Sequence, residues 1–305
     1  MAAIIETFLN PVFPVFAIML LGIIMAKGGL FDISAAQAIN KFVFFVVLPA
    51  LVFSLVAWAP LEQVQFRVVL RYLLGEILIF LAVSLVARFV LKCDKGEAIL
   101  LGMASCFVNH VLFILPIATI LYGEQVKVPI TAIIFIDTVF VFGAVIAGLE
   151  IAAHRGESLL RVAQSFLRNP VLIAIFLGLL VNISGIALHP GIRTFTSFAG
   201  SAVAPAALFS LGIILAEAKL SRIDAPALLA TTIKIVVHPV LVWLLLSGLA
   251  DLDQLWRDSV ILTAAGPCGA MPFVLALQYK VRSESIGLAI IYSTVASLVT
   301  LSIIA

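Results

Sequence analysis

Four ionisable side chains stand inside long apolar runs. They are Glu76 in "LLGEILIF", Asp137 in "FIDTVF", and Lys234 with His238 in "TTIKIVVHPV". A charge at the centre of a bilayer costs roughly 2.5–3.5 kcal/mol on insertion scales, so such residues either pair with one another or line an ion or proton path. Lys234 and His238 are four apart and share a helical face. A Lys234–Asp137 or Lys234–Glu76 pair is therefore expected, either as a tie between helices or as the carrier of a coupling proton. His110 and His238 can titrate near neutral pH, although a histidine beside Pro239 also reads as a hydrogen-bonded packing residue. Two further segments carry chemistry in their backbone. "GPCGAMP" holds Gly266, Pro267, Cys268, Gly269, Met271 and Pro272, and "FVNHVLFILP" holds Asn109, His110 and Pro116. Proline removes a backbone donor and clashes with the preceding turn, and glycine weakens a helix further. Inside lipid, interrupted backbone survives only where protein buries it or where it lines a wet cavity. Both segments therefore read as broken helices whose free N–H ends suit an anion, with the Asn109 amide to orient it. Proline kinks in packed helices are the alternative.

The elements that must position these groups are membrane spans. Of 305 residues, 64% are hydrophobic and 11% charged, against about 25% charged in a soluble domain, and the mean hydropathy is +1.26. A helix needs about 20 apolar residues to cross the hydrocarbon layer. Ten such runs occur, near 9–27, 37–57, 69–92, 98–122, 128–152, 169–187, 194–216, 225–249, 259–279 and 285–304. The reading is an all-α polytopic membrane protein. The first run lacks a signal-peptide pattern and is taken as a mature span. The connection from His154 to Arg168 reads either as a short interfacial helix or as a basic loop. The formal charge of +2, without a Lys/Arg block, gives no nucleic-acid partner. Cys93, Cys106 and Cys268 have no metal-ligand spacing. Hydrolase, zinc-protease and nucleotide-binding motifs are absent, so the expectation is no enzyme, no cofactor and no metal.

Lys and Arg set the orientation. Loops on one side carry twelve, the terminal side carries five, and Lys234 lies within a span. Both termini are thus expected outside. Trp58, Tyr72, Tyr122 and Trp256 fall at outer span ends and read as interface anchors. The two halves also align at an offset of 156, with Pro14, Pro49 and Pro116 meeting Pro170, Pro205 and Pro272, and Gly22 and Gly29 meeting Gly178 and Gly185. "PALVFSL" from Pro49 matches "PAALFSL" from Pro205 at five of seven positions. The division is 1–152 as a first five-helix repeat, 153–168 as a cytoplasmic linker and 169–305 as a second. An odd number of spans per repeat inverts the second half. Inverted repeats place a binding site at midplane, where discontinuous helices meet. Ser293 and Thr294 align with Asp137 and Thr138, and read as interhelical hydrogen bonders or as site lining.

"PCGAMPFVLALQY", "NHVLFILPIATILYG", "LPALVF" and "RNPVLIAIFLGLL" together resemble the auxin efflux carrier family, over nearly the whole chain. The family includes plant auxin carriers and bacterial carriers of malonate-like acids. The resemblance implies ten helices in two inverted repeats, a scaffold of spans 1, 2, 6 and 7 that often mediates a homodimer, and a transport domain of spans 3–5 and 8–10. Spans 4 and 9 would cross as broken helices at Pro116 and Pro272. The implied activity is elevator-type transport of a small organic anion across the inner (plasma) membrane, with H+ ahead of Na+ as a coupling ion. The long loop of plant carriers between spans 5 and 6 is missing, and His110 follows Asn109 where the plant pattern is closer to Asn-Thr. A sodium-coupled symporter of the bile-acid type and a non-transporting receptor are the rival readings.

Overall fold

The computed structural model describes residues 13, 17–59, 61–153, 164, 167–217, 224–249 and 252–304. Among them the chain is helical, without strands. In chain order the helices are α1 (Ala17–Lys27), α2 (Ile33–Ala57), α3 (Phe66–Phe89), α4 (Lys95–Ala104) and α5 (His110–Ile114 continuing as Leu115–Tyr122). There follow α6 (Glu124–Ala153), α7 (Pro170–Ser184), α8 (Pro190–Ala216), α9 (Ala225–Ser247), α10 (Gln254–Ala264), α11 (Met271–Gln278) and α12 (Glu284–Ile304). Six of these, α2, α3, α6, α8, α9 and α12, are long and apolar enough to cross a membrane. The expected start of the first span and nearly all of the 154–168 linker lie outside the described residues.

Local chemistry sets the helix starts. Asp32, Asn169, His189, Asp224 and Asp253 each accept hydrogen bonds from the first-turn N–H groups of α2, α7, α8, α9 and α10, as N-caps do. Pro170 and Pro190 follow their caps directly, where a missing N–H is harmless. Gly185, at φ +65°, ends α7 in the left-handed conformation.

Three long helices absorb an internal proline in the same way. A π turn over Val43–Val47 precedes Pro49, one over His110–Ile114 precedes Pro116, and one over Ile233–Val237 precedes Pro239. In a regular α-helix the proline ring would strike the carbonyl four residues back. The wider turn carries an extra residue and lets the helix continue. Pro116 therefore does not interrupt its helix.

The helices pack in two groups. In the first, α2 lies against α7 and α8, and the Asn182 amide of α7 donates to Val56 O at 2.8 Å and Ala59 O at 3.0 Å. In the second, α3 packs on α4 and α9, α9 on α10 and α12, and α4 on α6 and α11. Leu70, Leu74, Ile77, Leu78, Leu81 and Leu85 leave the outer face of α3 exposed and apolar, as a lipid-facing helix requires. Two expected anchors, Tyr72 and Trp256, are buried. Tyr72 is fully buried, with its ring 5.5 Å from His238, because it lies on the inner face of α3 with Glu76.

Candidate functional site

Helix α4 ends at Ala104 and α10 at Ala264. The extended segments that follow meet in the interior. Val108 and Cys268 form an isolated antiparallel bridge, in which Asn109 N–H donates to Pro267 O at 3.0 Å and Gly269 N–H to Phe107 O at 3.1 Å. The residue separations, 104 to 264 and 108 to 268, are both 160. The breaks thus pair four residues away from the offset that aligns Pro116 with Pro272. Each interruption satisfies part of the other's backbone, which apolar surroundings demand. Cys268 N–H donates to Ser293 Oγ of α12 at 3.1 Å. Lys234 Nζ reaches Ala264 O at 2.6 Å and so closes the carbonyl end of α10.

Glycine makes the close approach possible. A Cβ on Gly266 would lie 2.5 Å from Ile114 Cδ1 and 2.7 Å from Val108 Cγ1, and one on Gly269 would lie 3.0 Å from Val108 O.

A cavity of about 320 Å³ opens against the crossing. Its one wall is the crossing with α6: Phe107, Val108, Asn109, His110, Gly269, Ala270, Met271, Ile134, Thr138 and Phe142. The opposite wall is α2, through Leu48 to Leu55, and α8, through Ser197 to Ala204. Asn109 precedes the first turn of α5, its side chain makes no capping bond, and it lines the cavity. His110 is 5% exposed. Its Nε2 lies 2.6 Å from Asp137 Oδ2, while the buried Nδ1 has no partner among the described residues. A fourth π turn, Asp137–Phe142, holds Asp137 beside His110 and Thr138 on the cavity wall.

Of the residues singled out from sequence, Asn109, His110, Gly269 and Met271 line the cavity. Gly266, Pro267 and Cys268 build the crossing behind it, and Pro272 is buried in the first turn of α11. Pro116 lies eight residues beyond Val108, inside α5; it is not at the crossing. Glu76, Asp137, Lys234 and His238 are all fully buried. The expected bond of Lys234 to a carboxylate does not form; its Nζ lies 3.0 Å from His238 Nδ1, and it serves Ala264 O instead. Among the described residues neither Glu76 oxygen is within hydrogen-bond geometry of a partner, and Tyr72 and Asp137 are its polar neighbours. The wall from α2 and α8, with Ser54, Ser197 and Ser201, was not foreseen. The four-residue spacing of Ser197 and Ser201 around Gly200 was its one sequence signal.

At the other end of α11 the two helix groups are tied together. Tyr279 Oη donates to Glu150 Oε1 of α6 at 2.7 Å, and Asn169 Nδ2 reaches the same oxygen at 2.8 Å. Asn40 of α2 donates to Val274 O of α11 at 3.2 Å. The cavity lies at the start of α11, and these ties lie along and beyond its end.

An all-helical chain with apolar spans and an interior cavity at two interrupted helices belongs to the class of polytopic membrane carriers. The profile of the family described as "Membrane transport protein" matches residues 7–305. The chain belongs to that family, the auxin efflux carrier family, and is a multi-pass membrane protein. Among curated relatives, a "Putative malonate transporter" of Rhizobium meliloti (strain 1021) is 26% identical over 298 residues, covering 95% of this chain and 92% of the relative. An "Uncharacterized transporter" of Methanothermobacter thermautotrophicus is 25% identical over 297 residues, covering 95% of each chain.

Proposed function

We propose that the chain is a secondary transporter that carries a small organic anion, a carboxylate of the malonate-like or auxin-like kind, by an elevator-type motion. The observation that carries this reading is the antiparallel crossing of two interrupted helices at the wall of a cavity shared between two helix groups. Helix starts at α5 and α11 bring about half an elementary charge each, and Asn109 adds a side-chain amide. The work is recognition without covalent change. The name of the Rhizobium relative supports the choice of acid.

In this reading α4 with α5, and α10 with α11, each make one interrupted span, giving ten spans in two inverted halves. The equal separation of 160 at both helix ends and at the bridge supports the inversion. Helices α1, α2, α7 and α8 form the frame and a homodimer contact, and α3–α6 with α9–α12 move against it. Both termini face outside. The coupling groups are Glu76, Asp137, Lys234 and His238, with H+ favoured over Na+. Lys234 Nζ occupies the carbonyl end of α10, where a metal cation would otherwise find its negative dipole.

Counterflow of radiolabelled malonate in proteoliposomes, with and without Na+, tests this. Exchange without Na+ is expected. Saturable binding with no exchange would make the protein a receptor, and an absolute Na+ requirement would make it a sodium symporter.

A further inference from the structure

The cavity carries hydrogen-bonding side chains on opposite walls. Asn109 and Thr138 stand on the wall of the crossing and α6, and Ser54, Ser197 and Ser201 on the wall of α2 and α8. The packing of α2 on α8 places these serines. Ser210 Oγ donates to Ala36 O at 3.1 Å towards one end of the pair. Towards the other, a Cβ on Gly200 would lie 3.0 Å from Leu51 Cα. Residue numbers fall on one helix as they rise on the other, so the two run antiparallel. Ser197 lies three residues before Gly200, and Ser54 three residues after Leu51. Each shares the face of that contact residue, so both reach the same level of the helix pair, where they line the cavity.

Serines in apolar helices commonly turn back on their own carbonyls. Ser201 does so to Phe198 O at 2.7 Å, Ser247 to Leu244 O at 2.7 Å and Ser297 to Thr294 O at 2.8 Å. Ser54 and Ser197 do not: neither hydroxyl has a hydrogen-bond partner among the described residues. Nor are they enclosed, since Ser54 is half-buried and Ser197 exposed. Two free O–H donors thus stand together on the wall facing Asn109. Such a pair suits the oxygens of a carboxylate, and donors on two facing walls suit a ligand with an acceptor at each end.

We propose that Ser54 and Ser197 form a frame-side subsite for the second carboxylate of a short dicarboxylate, whose first carboxylate lies at the crossing beside Asn109. This rests on the organic-anion reading above and chooses the malonate-like over the auxin-like class. An aromatic monocarboxylate would press its ring against both hydroxyls and leave them without an acceptor, which is unfavourable. No lysine or arginine is among the described lining residues, and none is needed. The exposed frame end lets a carboxylate keep part of its hydration. Neutral donors also let go of it when the crossing leaves the frame, where a cation would hold it back. Leu51, Val52 and Phe142 in the same lining suit the methylene chain of the diacid.

The test is calorimetric binding to the full-length protein in nanodiscs at about pH 8, where both carboxyls of a diacid are ionised. The probes are malonate, succinate, the monomethyl ester of each, and indole acetate as an aromatic monocarboxylate. The better bound diacid is expected to exceed its own ester about tenfold, as a charge-assisted hydrogen bond allows. Ser54→Ala combined with Ser197→Ala should bring the diacid down to the level of the ester and leave the ester unchanged, which also reports a folded variant. Ser197→Thr, which keeps the hydroxyl, should retain most of the diacid affinity. Equal binding of diacid and ester, a preference that survives loss of both hydroxyls, equal losses for both ligands, or tighter binding of indole acetate would each overturn the proposal and leave the transporter reading standing. Absence of binding by every acid would remove that reading as well, and this inference with it.

Discussion

The two helix interruptions are built differently although they occupy equivalent places. The first, between α4 and α5, is rich in side chains: Asn109 and His110 both line the cavity, and no glycine lies between Ala104 and Leu115. The second, between α10 and α11, is almost pure backbone, with Gly266, Pro267, Cys268 and Gly269. In the proposed reading the first break recognises the substrate, while the second makes room for the crossing. The asymmetry follows from space, since Val108 and Ile114 of the first press where Cβ atoms on the second would stand.

This division of labour can be broken from either side. The largest effect is expected for Gly266→Val, which drives branched carbons into Ile114 and Val108. Overpacking costs about 1–3 kcal/mol or more, so a large drop in melting temperature and loss of counterflow should appear together. Lys234→Met comes next. It strips the donor from buried Ala264 O, an omission costing about 1–3 kcal/mol, and thermal unfolding should register it; an unchanged midpoint would mean that α10 is closed in some other way. Asn109→Ala should act in the opposite sense, weakening calorimetric malonate affinity about tenfold with the melting temperature nearly constant. Losses that run in parallel would make Asn109 a structural amide and erase the contrast between the breaks. Ser293→Ala should give the smallest change, about 1 kcal/mol of stability, because Cys268 N–H loses its acceptor while the cavity wall is untouched.

Much of this was legible in the residues themselves. The apolar runs fixed helices and their approximate ends, since few polar residues interrupt them. "GPCGAMP" announced a break because glycine and proline act through the local backbone. Pro116 misled for the same reason. A proline signals that a regular turn cannot form, but sequence does not say whether the chain breaks or widens into a π turn. The interruption fell instead at Cys106–Asn109, a stretch with no helix breaker, where pairing with Pro267 and Gly269 across the molecule supplies what propensity does not. Likewise Lys234 invited a carboxylate partner by charge alone. Its bond to a carbonyl depends on where α10 ends in space, which spacing along the chain does not encode. The wall from α2 and α8 was hidden because serines inside apolar helices read as ordinary packing residues.

Asn169 divides its amide between two duties. Its oxygen accepts from Val171 N–H and Leu172 N–H and so secures the start of α7, while its nitrogen alone reaches across to Glu150 and Tyr279. If the two helix groups part as proposed, only the bonds on the nitrogen side would break, and the start of α7 would keep its cap.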